Sequence, residues 1–384
     1  MTHSALISSG KPSEAFWEAY EYLWKHSAER SPFEAPGLLR YFAESTLETP
    51  TTFSFYQDGV LRGAVVLKER HGVCTFLSDL KTDVNTFVLD RRCSEADRRT
   101  FCYALLAAMR ERRWSLECNN QPLRADYLRF LEMAAHANGL TWTLVPHSVC
   151  PLLEANTPVE VERHLQKNQR YRYYAQRLRK QDGALFQAHT DAEGLEDWVE
   201  AYCNAHVQRW ANTPTPSDFR DSRRRQFLLG CLRAWHNDGL AVRFSLCLPD
   251  GRRIAFAIGL LQPPALVFHA TTFDPAFARY SPGKALIFHI AGWMAQNNLS
   301  VLDFGDGDEP YKYDVATTER PLSRVFISPR QRFGFRAKAR AFQWLKAHPH
   351  MESIYRLKMK PMAAKIAVLL HALQEMMEVL LAGL

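Results

Sequence analysis

One order of elements is read twice along this chain, an antiparallel meander followed by a helix and a further strand, and the repetition points to two domains of one α/β fold. In the first half, residues 16–30 show an aromatic-rich helical pattern capped by Ser13, and residues 52–56, the turn Gln57-Asp58-Gly59 and residues 60–68 form a hairpin signal. A third strand is expected over 73–77, helices over 94–112 and 127–138, and strands over 114–118 and 140–145. In the second half, residues 159–181 read as one long, basic, Tyr-rich helix ended by Asp182-Gly183, with helices over 192–210 and 222–237 after it. Strands follow over 241–248, 254–261 and 266–272, then a helix over 283–297 and a buried-looking strand over 301–304.

At 384 residues the chain exceeds one ordinary domain. The boundary falls near 146–158, where Pro151 and Pro158 break any continuous element. This places a first domain at 1–150, a second at 151–345 and a helical tail at 346–384. With 47% hydrophobic residues the chain can bury a sizeable core, which excludes a disordered or fibrous class. The formal charge of +7 is concentrated: residues 330–365 carry ten basic side chains and one acid, and residues 160–180 carry seven against two. The remainder after residue 150 is mildly acidic, which excludes a uniformly basic, DNA-binding chain. Eight cysteines show no zinc-type spacing, so no metal is expected and the thiols read as reduced. Neither a secretory leader nor a membrane-spanning run is read, and a cytoplasmic location follows.

Three clusters carry candidate chemistry, all in the second half. Tyr280-Ser281-Pro282-Gly283-Lys284-Ala285 opens a helix, where unpaired N–H groups and the positive end of the dipole favour a phosphate. The same residues also read as an ordinary capped helix with Ser281 as N-cap. Next, Asp303-Phe304-Gly305-Asp306-Gly307-Asp308-Glu309-Pro310-Tyr311-Lys312 follows a strand end, the usual place for ligands in open α/β sheets, although a structural loop fits this spacing too. Last, His206-Val207-Gln208-Arg209-Trp210 ends a helix, with His206 and Trp210 on one face as either a packed aromatic edge or a substrate platform bordered by a cation.

Taken together, His206-x-x-Arg209-Trp210, Tyr280-Ser281-Pro282-Gly283-x-x-Leu286 and Asp303-Phe304-Gly305-x-Gly307-Asp308-Glu309-x-Tyr311-Lys312 resemble the CelD, or BioF2-like, acetyltransferase family of bacterial polysaccharide loci. That family belongs to the GCN5-related N-acetyltransferase superfamily and is related to the Fem aminoacyl transferases. Phe76-Leu77-Ser78-Asp79 is a weaker match in the first half. The resemblance covers most of residues 15–345. It implies tandem acyltransferase-like domains with mixed, mainly antiparallel sheets, the first degenerate and the second holding acyl-CoA as co-substrate. Ser281, Pro282, Gly283, Lys284 and Ala285 would hold the donor's pyrophosphate. Asp308 or Glu309 would accept the proton from an attacking amine or hydroxyl, and Lys312 would anchor a phosphate or an anionic sugar. His206, Arg209, Trp210, Asp306 and Tyr311 would shape the acceptor site.

The activity implied is acyl transfer to a sugar, nucleotide sugar or related polar acceptor, in polysaccharide biosynthesis. The loop lacks the Arg/Gln-x-x-Gly-x-Gly/Ala signature of standard N-acetyltransferases, which leaves two alternatives. One is a Fem-like transferase whose basic helix contacts the phosphates of aminoacyl-tRNA. The other is a non-catalytic accessory protein of a membrane glycan synthase. In the tail, residues 361–384 place Met362, Ile366, Leu369, Leu373, Met377 and Leu380 on one helical stripe, which packs on protein or, with the basic residues before it, lies on the inner face of an anionic membrane.

Overall fold

The computed structural model describes residues 2–79, 81–213 and 216–354. These form two compact units, one up to Arg332 and one from Phe333 onward.

The first half of the larger unit runs β1 (His3–Ser9), α1 (Glu14–Lys25), α2 (Pro36–Ser45), β2 (Thr49–Gln57), β3 (Val60–Arg70), β4 (Val73–Phe76), β5 (Val88–Leu89), α3 (Glu95–Glu111), β6 (Ser115–Pro122), α4 (Tyr127–Ala137) and β7 (Thr141–Glu154). The second half runs α5 (Pro158–Lys167), α6 (Gln169–Asp182), β8 (Leu185–His189), α7 (Leu195–Arg209), α8 (Ser222–Asn237), β9 (Ala241–Cys247), β10 (Arg253–Gln262), β11 (Ala265–Phe273), α9 (Pro282–Gln296), β12 (Val301–Asp303), α10 (Pro310–Tyr313) and β13 (Thr318–Ser328). The expected mixed, mainly antiparallel α/β class is what forms.

Local signals act as their chemistry dictates. Ser13 accepts from Phe16 N–H at 3.3 Å and starts α1. Asp58 (φ +50°) and Gly59 (φ +78°) supply the two left-handed residues that a tight two-residue hairpin turn requires between β2 and β3. The single helix expected over 159–181 is two, because Asn168 takes an extended conformation and its side chain caps Tyr171 N–H to start α6. The interruption expected near Pro146 and Pro151 is a continuous strand. Pro146 falls where the β7–β13 register shifts, and Pro151 still offers its carbonyl to Phe304 N–H at 3.0 Å, so the missing proline N–H groups are tolerated.

Among the described residues, thirteen strands join one sheet, in the order β1-β2-β3-β4-β6-β13-β7-β12-β11-β10-β9-β8, with β5 on β3. Each half supplies an antiparallel meander and one parallel strand: β6 lies parallel to β4, and β12 parallel to β11. The last strand of each half then crosses over, so that β7 pairs with β12 while β13 pairs with β6, and β7 and β13 pair with each other at the centre. Helices cover both faces. The cluster containing Trp17, Leu38, Trp198 and Trp235 fills one side, and that containing Leu165, Tyr171, Leu286 and Ile290 fills the other. All eight cysteines are free and buried.

The smaller unit holds α11 (Phe333–Ala347) and α12 (Pro349–Ile354), with Trp344 stacked on His348 at 4.5 Å. The stripe expected over 361–384 lies outside the described residues. Among the described residues, no helix is long and apolar enough to cross a membrane.

Candidate active site

The second half of the sheet opens where β11 and β12 part. They pair only through Ala265–Val301, Leu266–Leu302 and Val267–Asp303. Beyond Asp303 the chain follows β7 instead, with Gly307 N–H donating to Val149 O at 2.9 Å. Beyond Val267, β11 bulges. Ile258 faces Ala270 and Gly259 faces Phe268, which leaves His269 as the extra residue. The bulge shifts the side-chain alternation, so Val267 and Ala270 join one hydrophobic cluster while Leu266, Phe268 and Phe273 join the other. A gap results, bounded by β11 from His269 onward and by the loop that follows Asp303.

That loop is held from several sides. Buried Asp303 accepts from Gly305 N–H at 2.9 Å and pairs with Arg320. Gly305 has φ +66°, and a Cβ there would lie 2.8 Å from the carboxylate of Asp83, so the position admits only glycine. Lys312, the expected phosphate anchor, is placed otherwise. It is buried, bonds the carbonyls of Gly305, Asp306 and Gly307 at 3.3, 2.9 and 3.1 Å, and pairs with Glu309 at 2.8 Å. Its three N–H donors are occupied, and it clamps the loop. Asp308 and Glu309 are exposed at the outer end. Asp306 points inward, accepts from the Ser148 hydroxyl, and has its carboxyl raised by burial, with the charge of Asp83 adding to the effect. Burial likewise pushes the Tyr311 hydroxyl above its ordinary range.

Asp83 comes from the first half. One carboxylate oxygen accepts from Asp306 N–H at 3.0 Å and the other from His269 Nδ1 at 2.9 Å. Its segment fills the place where the first half would have its own gap. There β4 and β6 pair through Thr75–Glu117, beyond which residues 82–85 bind the following backbone: Asn85 N–H donates to Asn120 O at 3.1 Å, Asn120 Nδ2 to Thr82 O at 2.9 Å, and Gln121 Nε2 to Asn85 O at 2.8 Å. Neither Asp83 nor His269 stood out in the sequence, since 186 residues separate them and neither belongs to a motif.

The other two clusters meet at Phe273. The Arg209 guanidinium lies 4.1 Å from that ring and donates to Thr271 O at 3.4 Å, and the position a Cβ would take on Gly283 is 4.0 Å from the same ring, with nothing nearer. His206 stacks on Trp210 at 5.9 Å and bonds the Ser217 hydroxyl at 2.7 Å. Burial, reinforced by the charge of Arg209, lowers its imidazole to about 4 and keeps it neutral. Among the described residues, Trp210 Nε1 is buried without a hydrogen-bond partner. At the start of α9, Ser281 takes φ +46° and its side chain caps nothing, contrary to the capped-helix reading, while its carbonyl accepts from Lys284 and Ala285 N–H at 3.0 and 3.2 Å. Lys284 pairs with Asp314 at 2.5 Å.

Residues 166–313 match the family described as "Acetyltransferase (GNAT) domain". Among solved structures, FemX is similar with a TM-score of 0.60 at 10% identity, covering 85% of this chain and 98% of that one. The L-PGS of Bacillus licheniformis is similar with a TM-score of 0.54 at 9% identity, covering 88% and 98%. The C-terminal domain of a putative lysylphosphatidylglycerol synthetase from Agrobacterium fabrum is similar with a TM-score of 0.55 at 13% identity, covering 89% and 98%. No curated protein matches the chain. The structural likenesses extend over both halves and concern the fold, whereas the sequence match assigns an acetyltransferase (GNAT) domain to the second half, and with it the chain is an acyltransferase.

Proposed function

We propose that the chain transfers an acyl group from a CoA thioester to an amine or hydroxyl of a sugar, nucleotide sugar or related polar acceptor. The observation that carries this reading is the gap between β11 and the loop after Asp303, with the open start of α9 at one approach and the Arg209-Trp210 corner at another. An extended thioester arm fits such a gap because the parted strand edges offer backbone partners. Its pyrophosphate rests at the start of α9, Ser281–Ala285, against the N–H of Gly283, which leaves the approach clear, since Ser281, Lys284 and Ala285 already donate to carbonyls of this turn and Pro282 has no N–H. His206, Arg209 and Trp210 border the acceptor, with the Arg209 guanidinium as the cation at that edge. Lys312 positions the loop with Glu309 as its ion-pair partner, and Asp308 stands in solvent at the loop's outer end. The first domain, residues 1–150, is the degenerate copy, since residues 82–85 occupy its gap.

Acetyl-CoA is expected to raise the melting temperature of the purified chain, and Gly283→Trp is expected to abolish that shift while leaving the unliganded melt near wild type. A shift retained in the variant would remove the assignment of the α9 loop.

A second reading, aminoacyl transfer, is favoured by one surface: Arg163, Lys167, Arg170, Arg172, Arg179 and Lys180 are all exposed on α5 and α6. Likeness to FemX and to a lysylphosphatidylglycerol synthetase is compatible with it at the level of fold. Salt-sensitive tRNA binding without acetyl-CoA binding would establish this alternative over the first.

A further inference from the structure

We propose that His269 is the proton acceptor of the transfer step and that Asp83, from the other half of the chain, is its positioning residue. His269 is the bulged residue of β11, two positions beyond the last β11–β12 pair, so its imidazole is carried at the inner end of the gap. Three groups fix the ring: Asp83 on Nδ1 at 2.9 Å, and Phe33 and Trp235 edge-on at 5.5 and 5.4 Å. Asp83 is itself fixed, because its second oxygen accepts from Asp306 N–H and Gly305 leaves room for its carboxylate. With Nδ1–H directed at a carboxylate, the lone pair of the ring is on Nε2. Among the described residues nothing hydrogen-bonds Nε2, and 9% of the side-chain surface stays exposed. An oriented imidazole with a free nitrogen, backed by a carboxylate, is the arrangement that general-base catalysis needs. Of the carboxylates at the outer end of the loop, Asp308 is exposed and Glu309 is engaged by Lys312.

The step presupposes the acyl-CoA chemistry proposed for the site. The acceptor nitrogen or oxygen forms a bond to the thioester carbonyl carbon as its proton passes to His269 Nε2. Collapse of the tetrahedral adduct breaks the carbon–sulfur bond, and the imidazolium returns the proton to the leaving sulfur, which releases CoA as the thiol. The charge that His269 acquires transiently is stabilised by Asp83. The gap of the second half is therefore completed by a residue of the first. The segment that closes the first half's own gap supplies it.

The test follows acetyl-CoA binding by thermal shift and thiol release from acetyl-CoA with glucosamine, or water alone, as acceptor. His269→Gln should bind acetyl-CoA as wild type does and release thiol about 100-fold more slowly, the scale typical of a lost general base. His269→Ala should regain rate when imidazole is added, and that rescue should disappear in His269→Ala/Asp83→Asn, which a merely structural role of Asp83 would not produce. An acetyl-CoA complex in which His269→Gln and wild type release thiol at equal rates would overturn the assignment of His269 alone. Failure of wild type to bind acetyl-CoA would overturn the donor reading and this step with it.

Discussion

Glu34 is buried in the first half, with one carboxyl oxygen accepting from Thr86 N–H at 2.7 Å and the other without a partner. Burial raises its pKa to about 8, so the folded chain holds a proton there that the unfolded chain, titrating near 4.5, releases. Its stabilising contribution is full below the unfolded value and is lost as pH rises through about 8. Glu34→Gln, which keeps the neutral shape, should melt higher than wild type at about pH 9 and close to it at about pH 4. An offset that ignored pH would contradict the assignment. His206 has the opposite dependence. Its folded value of about 4 lies below the ordinary 6.5, so its contribution is present above 6.5 and lost as pH falls toward 4. In urea melts across that window, His206→Gln should flatten the acid limb. At this scale the sequence disclosed the Gly305–Lys312 loop, because glycines and carboxylates crowd it. It disclosed neither the clamp role of Lys312 nor the Asp83–His269 pair, which depend on a loop conformation and on a contact between distant segments.

Helices and central strands were legible where one face is buried. Ser94 and Asp97 form a reciprocal cap on α3, and Ser13 caps α1, as those residue types predict. The two strands at the sheet edges escaped notice for a physical reason. β1 is largely exposed and β8 has only five residues, none of them fully buried, so neither carries a run of buried positions in alternation with exposed ones, the usual signature of a strand. β13 was missed because Pro321 and its charged neighbours obscure a run that is buried only toward its end. The α5–α6 break was equally hidden, since Asn168 reads as an ordinary polar residue within a helical period. Its capping role predicts that Asn168→Ala destabilises the chain by about 1 kcal/mol in chemical denaturation. Asn168→Asp keeps the cap but loses the donor to Asp314 O at 3.3 Å, so it should recover only part of that loss, and full recovery would mean that the Asp314 contact contributes nothing.

At the scale of the whole molecule, the exchange of β7 and β13 means that neither half completes its part of the sheet from its own residues. A chain ending at residue 317 lacks β13 and exposes facing edges on both β6 and β7. It should lose the folded state of both halves together, and residues 2–332 of the intact protein should unfold in one transition. Two well-separated transitions in calorimetry, or a soluble folded fragment of residues 1–150, would show that the central strands couple the halves less than the pairing implies. The duplicated order was visible in the sequence, whereas the exchange was not, since strand patterns specify alternation and length but not partners. The pairing also sets a schedule for biogenesis. β6 leaves the ribosome roughly 200 residues before β13, a delay of about 10–40 s at about 5–20 residues per second, during which its edge has no native neighbour. The nascent chain thus carries an open strand edge until β13 is made, and demand for chaperones should fall on that interval.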